Sequence, residues 1–447
     1  MCVQDGGMSA DTETPTYDPA AEVVELCRDM IRIDTSNYGD HSGPGERKAA
    51  EHVATLLDEV GIESTLIEET PGRTSLIAHW GDTTSDRPAL LLHAHLDVVP
   101  AAAEDWQVDP FSGEVQDGYV WGRGAVDMKD FNAMLTSVVR ARTRAGALPD
   151  RPIVLAFTAD EEAGGHHGAQ IMVERHAEHF EGVTEAVGEV GGFSATVRGR
   201  RIYLIEAAEK GMAWMKLTAR GRAGHGSMIN RENAVTRVAG AVARIGAHEW
   251  PVRLTPTMEV LLATVADLAG TEATPENAEA LVEEFGDAAR MIGAVIRNTA
   301  NPTMLRAGYK ANVIPTEAEA AVDGRFLPGY EDEFFATLAE LAGEGVEFDF
   351  VSKQNPWETP YDGDLVDAMH RSLLAEDPDA LVAPFLMSGG TDAKHFRKLG
   401  MRSYGFTPLR LPDDLDFTAL FHGVDERVPV DSLEFGARVF DRFLDSV

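Results

Sequence analysis

Charged side chains sit where a folded chain tolerates them least, and no other feature of the sequence constrains the fold as much. The run Pro88-Ala-Leu-Leu-Leu-His-Ala-His-Leu-Asp-Val-Val-Pro100 has the apolar density of a buried strand, yet His95 and Asp97 interrupt it. A second apolar run, Ile153 to Thr158, gives way almost at once to Asp160-Glu161-Glu162. Buried charge without a partner is costly, so these residues need a common one. Open α/β sheets place active sites at the ends of their buried strands. Asp127, Glu189 and His422 extend the set to five clusters. Two imidazoles with several carboxylates form a mixed nitrogen and oxygen donor set that suits zinc.

A chain of 447 residues is too long for one compact core, so two or more domains are expected. Helical spacing runs over Pro19 to Asp34 and Gly45 to Val60. Strand signals begin at Glu63 and follow at Ser75 to Trp80, Ala89 to Leu92 and Ile153 to Thr158. A helix over Asp130 to Ala145 separates the last two, and this alternation argues an α/β sheet covered on both faces. After Gly192 the pattern changes. Arg201 to Glu206 and Met212 to Thr218 alternate as half-exposed strands do. Helices are expected over Asn230 to Glu249, capped by Asn230 or Asn233, over Asn277 to Asn298 and over Glu331 to Ala342. Strands are expected over Met304 to Pro315 and Ala318 to Phe326. This set suits a small α+β domain inserted into the first, which resumes from Leu365 to Val447.

Composition narrows the function. The formal net charge is −35, with 74 acids against 39 bases, which argues against nucleic acid and anionic membranes as partners. No stretch reaches the roughly 20 apolar residues that span a bilayer. Only Cys2 and Cys27 are present, so no disulfide framework is expected and a reducing cytoplasm fits. Met1 to Tyr17 is acidic and polar, lacks the marks of a signal peptide, and reads as a disordered tail in which Met1 and Met8 are both candidate starts.

The clusters divide naturally into the roles of a two-metal hydrolase, which needs a bridging carboxylate, further ligands for each metal and a base for the attacking water. His95 and Asp97 lie two apart on one strand face, so the imidazole can bind metal while the carboxylate holds its other ring nitrogen. Asp127 sits among Gly122, Gly124 and Ala125, where the backbone can approach closely. Adjacent Glu161 and Glu162 point in different directions, so one can bind metal while the other acts as a base. Each cluster alone is compatible with a turn aspartate, a solvated loop or a packed histidine. Their joint occurrence carries the reading.

These residues resemble the M20 metallopeptidases, a dizinc amidohydrolase group that includes glutamate carboxypeptidase, aminoacylase-1, acetylornithine deacetylase, succinyl-diaminopimelate desuccinylase and carnosinase-like dipeptidases. The resemblance runs from about Ala21 to Phe443. It rests on His95-Leu-Asp97, Gly122-Arg-Gly-Ala-Val-Asp-Met-Lys129, Asp160-Glu-Glu162, Glu189, Gly224-His-Gly-Ser227, Asn312-Val-Ile-Pro315, Gly390-Thr-Asp-Ala393 and His422-Gly423. It implies an α/β catalytic domain of the zinc-exopeptidase type, with a mixed, mostly parallel sheet, in segments 19–211 and 352–447 after a tail over 1–18. A lid and dimerisation domain would occupy 212–351. It also implies His95 and Glu189 on one Zn2+, Glu162 and His422 on the other, Asp127 as bridge with a cis peptide after it, Glu161 as general base and Asp97 orienting His95. His225 would reach the scissile carbonyl, often from a partner subunit, as an oxyanion donor. Asn312 and Arg325 would hold a substrate carboxylate, with Gly390 and Thr391 beside the substrate.

The implied substrate is a peptide or N-acyl amino acid cleaved beside a free carboxylate, and Co2+ or Mn2+ could replace Zn2+. His93 is placed behind the metal ligands. Asp130 departs from the glycine common at that position, and a long segment near 274–298 is unusual for the lid. Two alternatives remain at this point. A (β/α)8 amidohydrolase would use His93 and His95 as a metal pair, but the inserted α+β segment and the Asp160-Glu-Glu162 cluster argue against it. A catalytically silent zinc-binding member would be expected to have lost Glu161 or a ligand, and all are present.

Overall fold

The computed structural model describes residues 17–82 and 84–447; the tail expected over 1–18 lies almost wholly outside them. The main sheet runs, edge to edge, through Ser64–Thr70, Arg73–Gly81, Pro152–Thr158, Ala89–His95, Val183–Gly188, Arg402–Gly405 and Arg200–Glu209, with Trp357–Glu358, Leu381–Met387 and Phe193–Val197 also pairing to the last. The four strands from Pro152–Thr158 to Arg402–Gly405 are mutually parallel, while the first two strands are antiparallel. The sheet is therefore mixed with a parallel centre.

Burial on both faces explains the uninterrupted apolar runs. In Ala89–His95 every residue is buried. Leu90, Leu92 and Ala94 join the larger core, together with Leu26 and Met30 of helix Val23–Ile31 and Phe131, Leu135 and Val138 of helix Lys129–Ala145. Ala89 and Leu91 face the other way, onto Met172, Val173 and Phe396. The register pairs His95 with Thr158, so Ala89–His95 and Pro152–Thr158 end level with each other. His95 thus ends one strand, Asp160 to Glu162 follow the next, and Glu189 follows Val183–Gly188. One edge of the sheet collects them all.

The second unit is an antiparallel four-stranded sheet, in the order Thr299–Ala307, Glu317–Phe326, Gly211–Arg220 and Val346–Gln354. Strict alternation along Glu317–Phe326 turns Ala318, Ala320, Val322 and Phe326 inward. Helices Ala234–Ala247 and Glu331–Ala342 contribute to the same core, where Phe334 packs 5.4 Å from Phe326 and 5.0 Å from Trp250, ring centre to centre. Asn233 is the cap, its side chain accepting from the Val235 amide. Asn230 is used in the preceding loop, bonding Arg222 and Glu232.

The helix expected over Asn277 to Asn298 is broken. It forms Ala278–Glu283 and Ala289–Gly293, separated at Gly286, whose φ is +58°. A 14-residue helix, Pro256–Ala269, precedes it, with Thr255 as cap, Pro256 in the first turn and left-handed Gly270 closing it. Met258, Leu261, Leu281, Ile292 and Ile296 all pack into the larger core, not into that of the four-stranded sheet.

Because the two cores are separate, Phe334→Ala should remove about 3–5 kcal/mol from the smaller one. Differential scanning calorimetry should resolve an early transition for that unit, with the main transition unchanged.

Candidate metal centre

The sheet edge brings together six donor side chains. His95 directs Nδ1 at the main-chain oxygen of Asp97, 2.9 Å away. That contact leaves Nε2 facing Asp127 Oδ1 at 2.9 Å and Glu189 Oε2 at 3.2 Å. His422 Nε2 faces Asp127 Oδ2 at 3.2 Å and Glu162 Oε2 at 3.0 Å. Each oxygen of Asp127 is therefore matched to a different histidine. Two groups, His95 with Glu161 and Glu189, and His95 with Asp127 and Glu162, have ligand atoms within 4.8 Å of one another.

The surrounding backbone fixes these positions. The Asp127–Met128 peptide is cis. Glu426 holds the preceding loop, accepting from Arg123 Nη1 at 2.7 Å and from the amides of Gly124 and Val126 at 3.0 and 2.7 Å. His422 itself has φ +57°, and a Cβ on Gly423 would come 2.3 Å from the Ala419 oxygen. This close approach explains the His-Gly pair.

The Asp97 carboxylate has a different task from the expected one, since the main-chain oxygen and not the side chain meets the His95 ring. Its carboxylate oxygen is 3.7 Å from His95 Nδ1, farther than its own main-chain oxygen. The carboxylate instead accepts from the amides of Glu161 and Glu162, at 3.0 and 3.1 Å, and from Asn37 Nδ2 at 2.8 Å. It therefore fixes the loop that presents the two glutamates. His93 stays behind the site, packed on Phe396 with ring centres 4.9 Å apart and against Gly188, where a Cβ would sit 2.2 Å from its Cε1. Burial and the neighbouring His95 hold its pKa down to about 3. Asp130 is buried in the first turn of its helix and accepts from the Phe131 amide at 2.8 Å.

The electrostatics fit a cation pair. Burial raises the Glu162 pKa to about 8 and lifts Glu189 well above the carboxylate range. Burial opposes charge on His95 as well, yet Glu189 and Asp127 hold its pKa well above the imidazole range. Hydrogen bonds to Asp127 and Glu162 raise His422 to about 10. Burial works against ionised Asp127 too, but hydrogen bonds from His422 and His95 prevail and lower its pKa. Four carboxylates thus compete for the positive charge of two imidazoles. Divalent ions on His95 with Glu189, and on His422 with Glu162, with Asp127 shared, would satisfy five of the six donors and leave Glu161 free.

A cavity of about 700 Å3 opens over this cluster. Its apolar wall includes Met212, Trp214, Met291, Met387 and Phe421, and its polar wall includes Arg290, Arg325, Gly390 and Lys394. Among the residues expected to touch substrate, Arg325 and Gly390 line it. Thr391 is buried and turned away, its amide and hydroxyl both donating to Glu209. Asn312 and His225 are exposed and do not line it, and His225 Nδ1 pairs with the Ser227 hydroxyl at 2.8 Å. Lys394, whose Nζ is 3.5 Å from Glu161 Oε1, was not anticipated. Its proximity to Gly390-Thr391 was the one available signal. A further group, His176, Glu178 and His179, is partly exposed and lines no part of this cavity.

Residues 91–446 match the family model described as peptidase family M20/M25/M40. The chain is 29% identical over 441 residues to N-fatty-acyl-amino acid synthase/hydrolase PM20D1 of Xenopus tropicalis, covering 92% of this chain and 83% of the relative. It is 27% identical over 431 residues to human aminoacylase-1, covering 94% of each. The fold is similar to that of the M20 family metallo-carboxypeptidase Sso-CP2 from Sulfolobus solfataricus, with a TM-score of 0.70 at 18% identity, over 95% of this chain and 99% of the other.

Asp97→Ala should leave two loop amides without their acceptor. Hydrogen bonds to a charged group contribute about 1.5–3 kcal/mol each, so the denaturant midpoint should fall markedly. Amide exchange at Glu161 and Glu162 should accelerate. Unchanged exchange there would contradict the role given to Asp97.

Proposed function

The chain belongs to peptidase family M20/M25/M40, and we propose that it is a two-metal hydrolase cleaving N-acyl amino acids whose acyl group is long and apolar. The observation that carries the metal reading is Asp127, with one oxygen toward His95 and the other toward His422. A catalytically silent variant would be expected to lack Glu161 or a ligand. All are present and drawn together.

The ions would be held by His95 and Glu189, by Glu162 and His422, and jointly by Asp127. When bound, such a pair lowers the pKa of a water and polarises a carbonyl. Zinc suits this donor set, and cobalt and manganese remain outcomes of a metal analysis. The Glu161 carboxylate takes a proton from the attacking water as its oxygen adds to the acyl carbon. Glu161 then returns a proton to the departing nitrogen as the C–N bond breaks, giving a carboxylic acid and an amino acid. Asp97 supports this by fixing the Glu161 backbone, which leaves the side chain free to move the proton.

Two lines support the substrate class. One relative matched along nearly the whole chain is named an N-fatty-acyl-amino acid synthase/hydrolase and another aminoacylase-1. The cavity is also large for a dipeptide, and three methionines, a tryptophan and a phenylalanine line it. Flexible methionines adapt to an aliphatic chain. His225 lies outside the cavity of its own chain, so its proposed oxyanion role belongs to a homodimer formed through the lid. Met228 and Ile229, exposed three and four residues after it, support such a contact. Among the described residues no helix is long and apolar enough to cross a membrane. The cytoplasmic reading rests on the low cysteine content, Cys27 being buried and unbridged.

Glu161→Gln should retain two metals by plasma mass spectrometry while losing about 10²- to 10⁴-fold in kcat. Full activity in that variant would refute the base assignment. The wild type should prefer N-octanoyl over N-acetyl amino acids. Trp214→Ala should raise KM for the octanoyl substrate about tenfold, in keeping with the loss of a large apolar contact, and leave the acetyl substrate unaffected. Equal effects on both substrates would remove the acyl wall from the account.

A further inference from the structure

Away from the cavity, one short segment carries a second set of donor side chains that the chemistry above does not use. The chain leaves helix Ala169–Arg175 through His176 and makes a single tight turn over Ala177–Phe180. Side chains three apart eclipse one another in such a turn, so His176 and His179 fall on one side of it. One ligand atom from each, together with one from Glu178, lies within 4.8 Å of the others. His176 Nδ1 is 3.9 Å from Glu178 Oε1. Two imidazoles and a carboxylate form the mixed donor set that a divalent transition ion takes.

Neighbouring strands orient the two rings. Glu69, on Ser64–Thr70, places Oε1 3.2 Å from His176 Nε2, so Nδ1 is the nitrogen left for a ligand. Its other oxygen is held by Arg175 Nη1 at 3.1 Å. His79, on Arg73–Gly81, places Nε2 3.5 Å from His179 Nδ1, with the rings stacked at 5.8 Å between centres. Burial and the nearby His179 lower the His79 pKa, which keeps its ring neutral at neutral pH. A polar partner on the outer nitrogen is how proteins aim a metal-binding imidazole. The turn itself is anchored. Phe180 is buried 5.4 Å from Phe396, ring centre to centre, and the Gly182 oxygen accepts from the Ala89 amide at 2.9 Å.

We propose that His176, Glu178 and His179 form a further site for one divalent transition ion, separate from the Asp127 centre, with Glu69 and His79 as positioning residues. Only three side chains serve it and its outer face is open, so it binds more weakly than the buried centre, which takes the first two equivalents of metal. A bound ion joins the end of helix Ala169–Arg175 to the turn that leads into Val183–Gly188, the strand ahead of Glu189.

The test uses protein preloaded with two equivalents of zinc, and nickel as the probe, because its absorption edge is distinct from that of zinc. Calorimetry should detect a nickel ion bound per chain. Combining His176→Gln with His179→Gln should abolish that binding. Glu69→Gln, which touches no ion, should weaken it about 10- to 100-fold, as the loss of an orienting partner does. In nickel-soaked wild-type crystals the anomalous peak at the nickel edge should stand beside His176 and His179, which locates the site without any variant. The proposal is overturned if the wild type binds no nickel in solution, if the nickel peak lies only elsewhere, or if binding survives in the double variant. Unchanged affinity in Glu69→Gln overturns the positioning role given to that residue.

Discussion

Asp127 stands between two histidines that come from opposite ends of the chain, and the geometry around it organises the whole site. His95 ends a central strand and His422 lies on a late loop, yet each places Nε2 within about hydrogen-bond distance of one Asp127 oxygen. Burying that carboxylate with Glu161, Glu162 and Glu189 would be prohibitive without positive charge at its centre. The fold accepts this concentration of acid because the sheet ends there. Two parallel strands stop level with one another and a third ends close by, and the segments after them turn into one cluster. The supporting contacts have the same purpose: Glu426 holds the Asp127 loop and Asp97 holds the glutamate loop.

The cavity above that cluster belongs to both units. Its floor comes from the main sheet edge. Its walls draw on Met212, Trp214 and Arg325 of the four-stranded sheet and on Arg290 and Met291 of the intervening segment. Chemistry and selectivity therefore reside on different parts of the chain. A common floor beneath variable walls is the usual way in which one fold serves several substrates.

Much of the floor was legible in the sequence, because a histidine or carboxylate inside an apolar run is anomalous whatever the fold. His95 and the Asp160-Glu161-Glu162 cluster stand out on that ground, Asp127, Glu189 and His422 take their roles from the family resemblance, and His95, Asp127, Glu162, Glu189 and His422 lie together. An α/β sheet covered on both faces follows from the same runs, while its mixed order with a parallel centre is implied only by the family resemblance. The walls were less legible. The helix Pro256–Ala269 has clear terminal signals in Thr255-Pro256 and Gly270, yet it lies outside the helices expected from periodicity. The break at Gly286 depends on a left-handed turn that periodicity cannot register. Arg290, Lys394 and the inward turn of Thr391 depend on tertiary packing, which no spacing reveals. For Asp97, the i+2 relation to His95 suggested one partner, and only the folded loop shows that two main-chain amides take its carboxylate.

The central claim is that Asp127 is shared between two metal ions. Anomalous diffraction from zinc-loaded crystals, recorded above and below the zinc edge, tests it most directly. The account predicts two peaks per chain, about 3.5–4 Å apart, one beside His95 and Glu189 and the other beside His422 and Glu162, with Asp127 between them. A single peak there, or zinc only at the partly exposed His176 and His179 group, would contradict it.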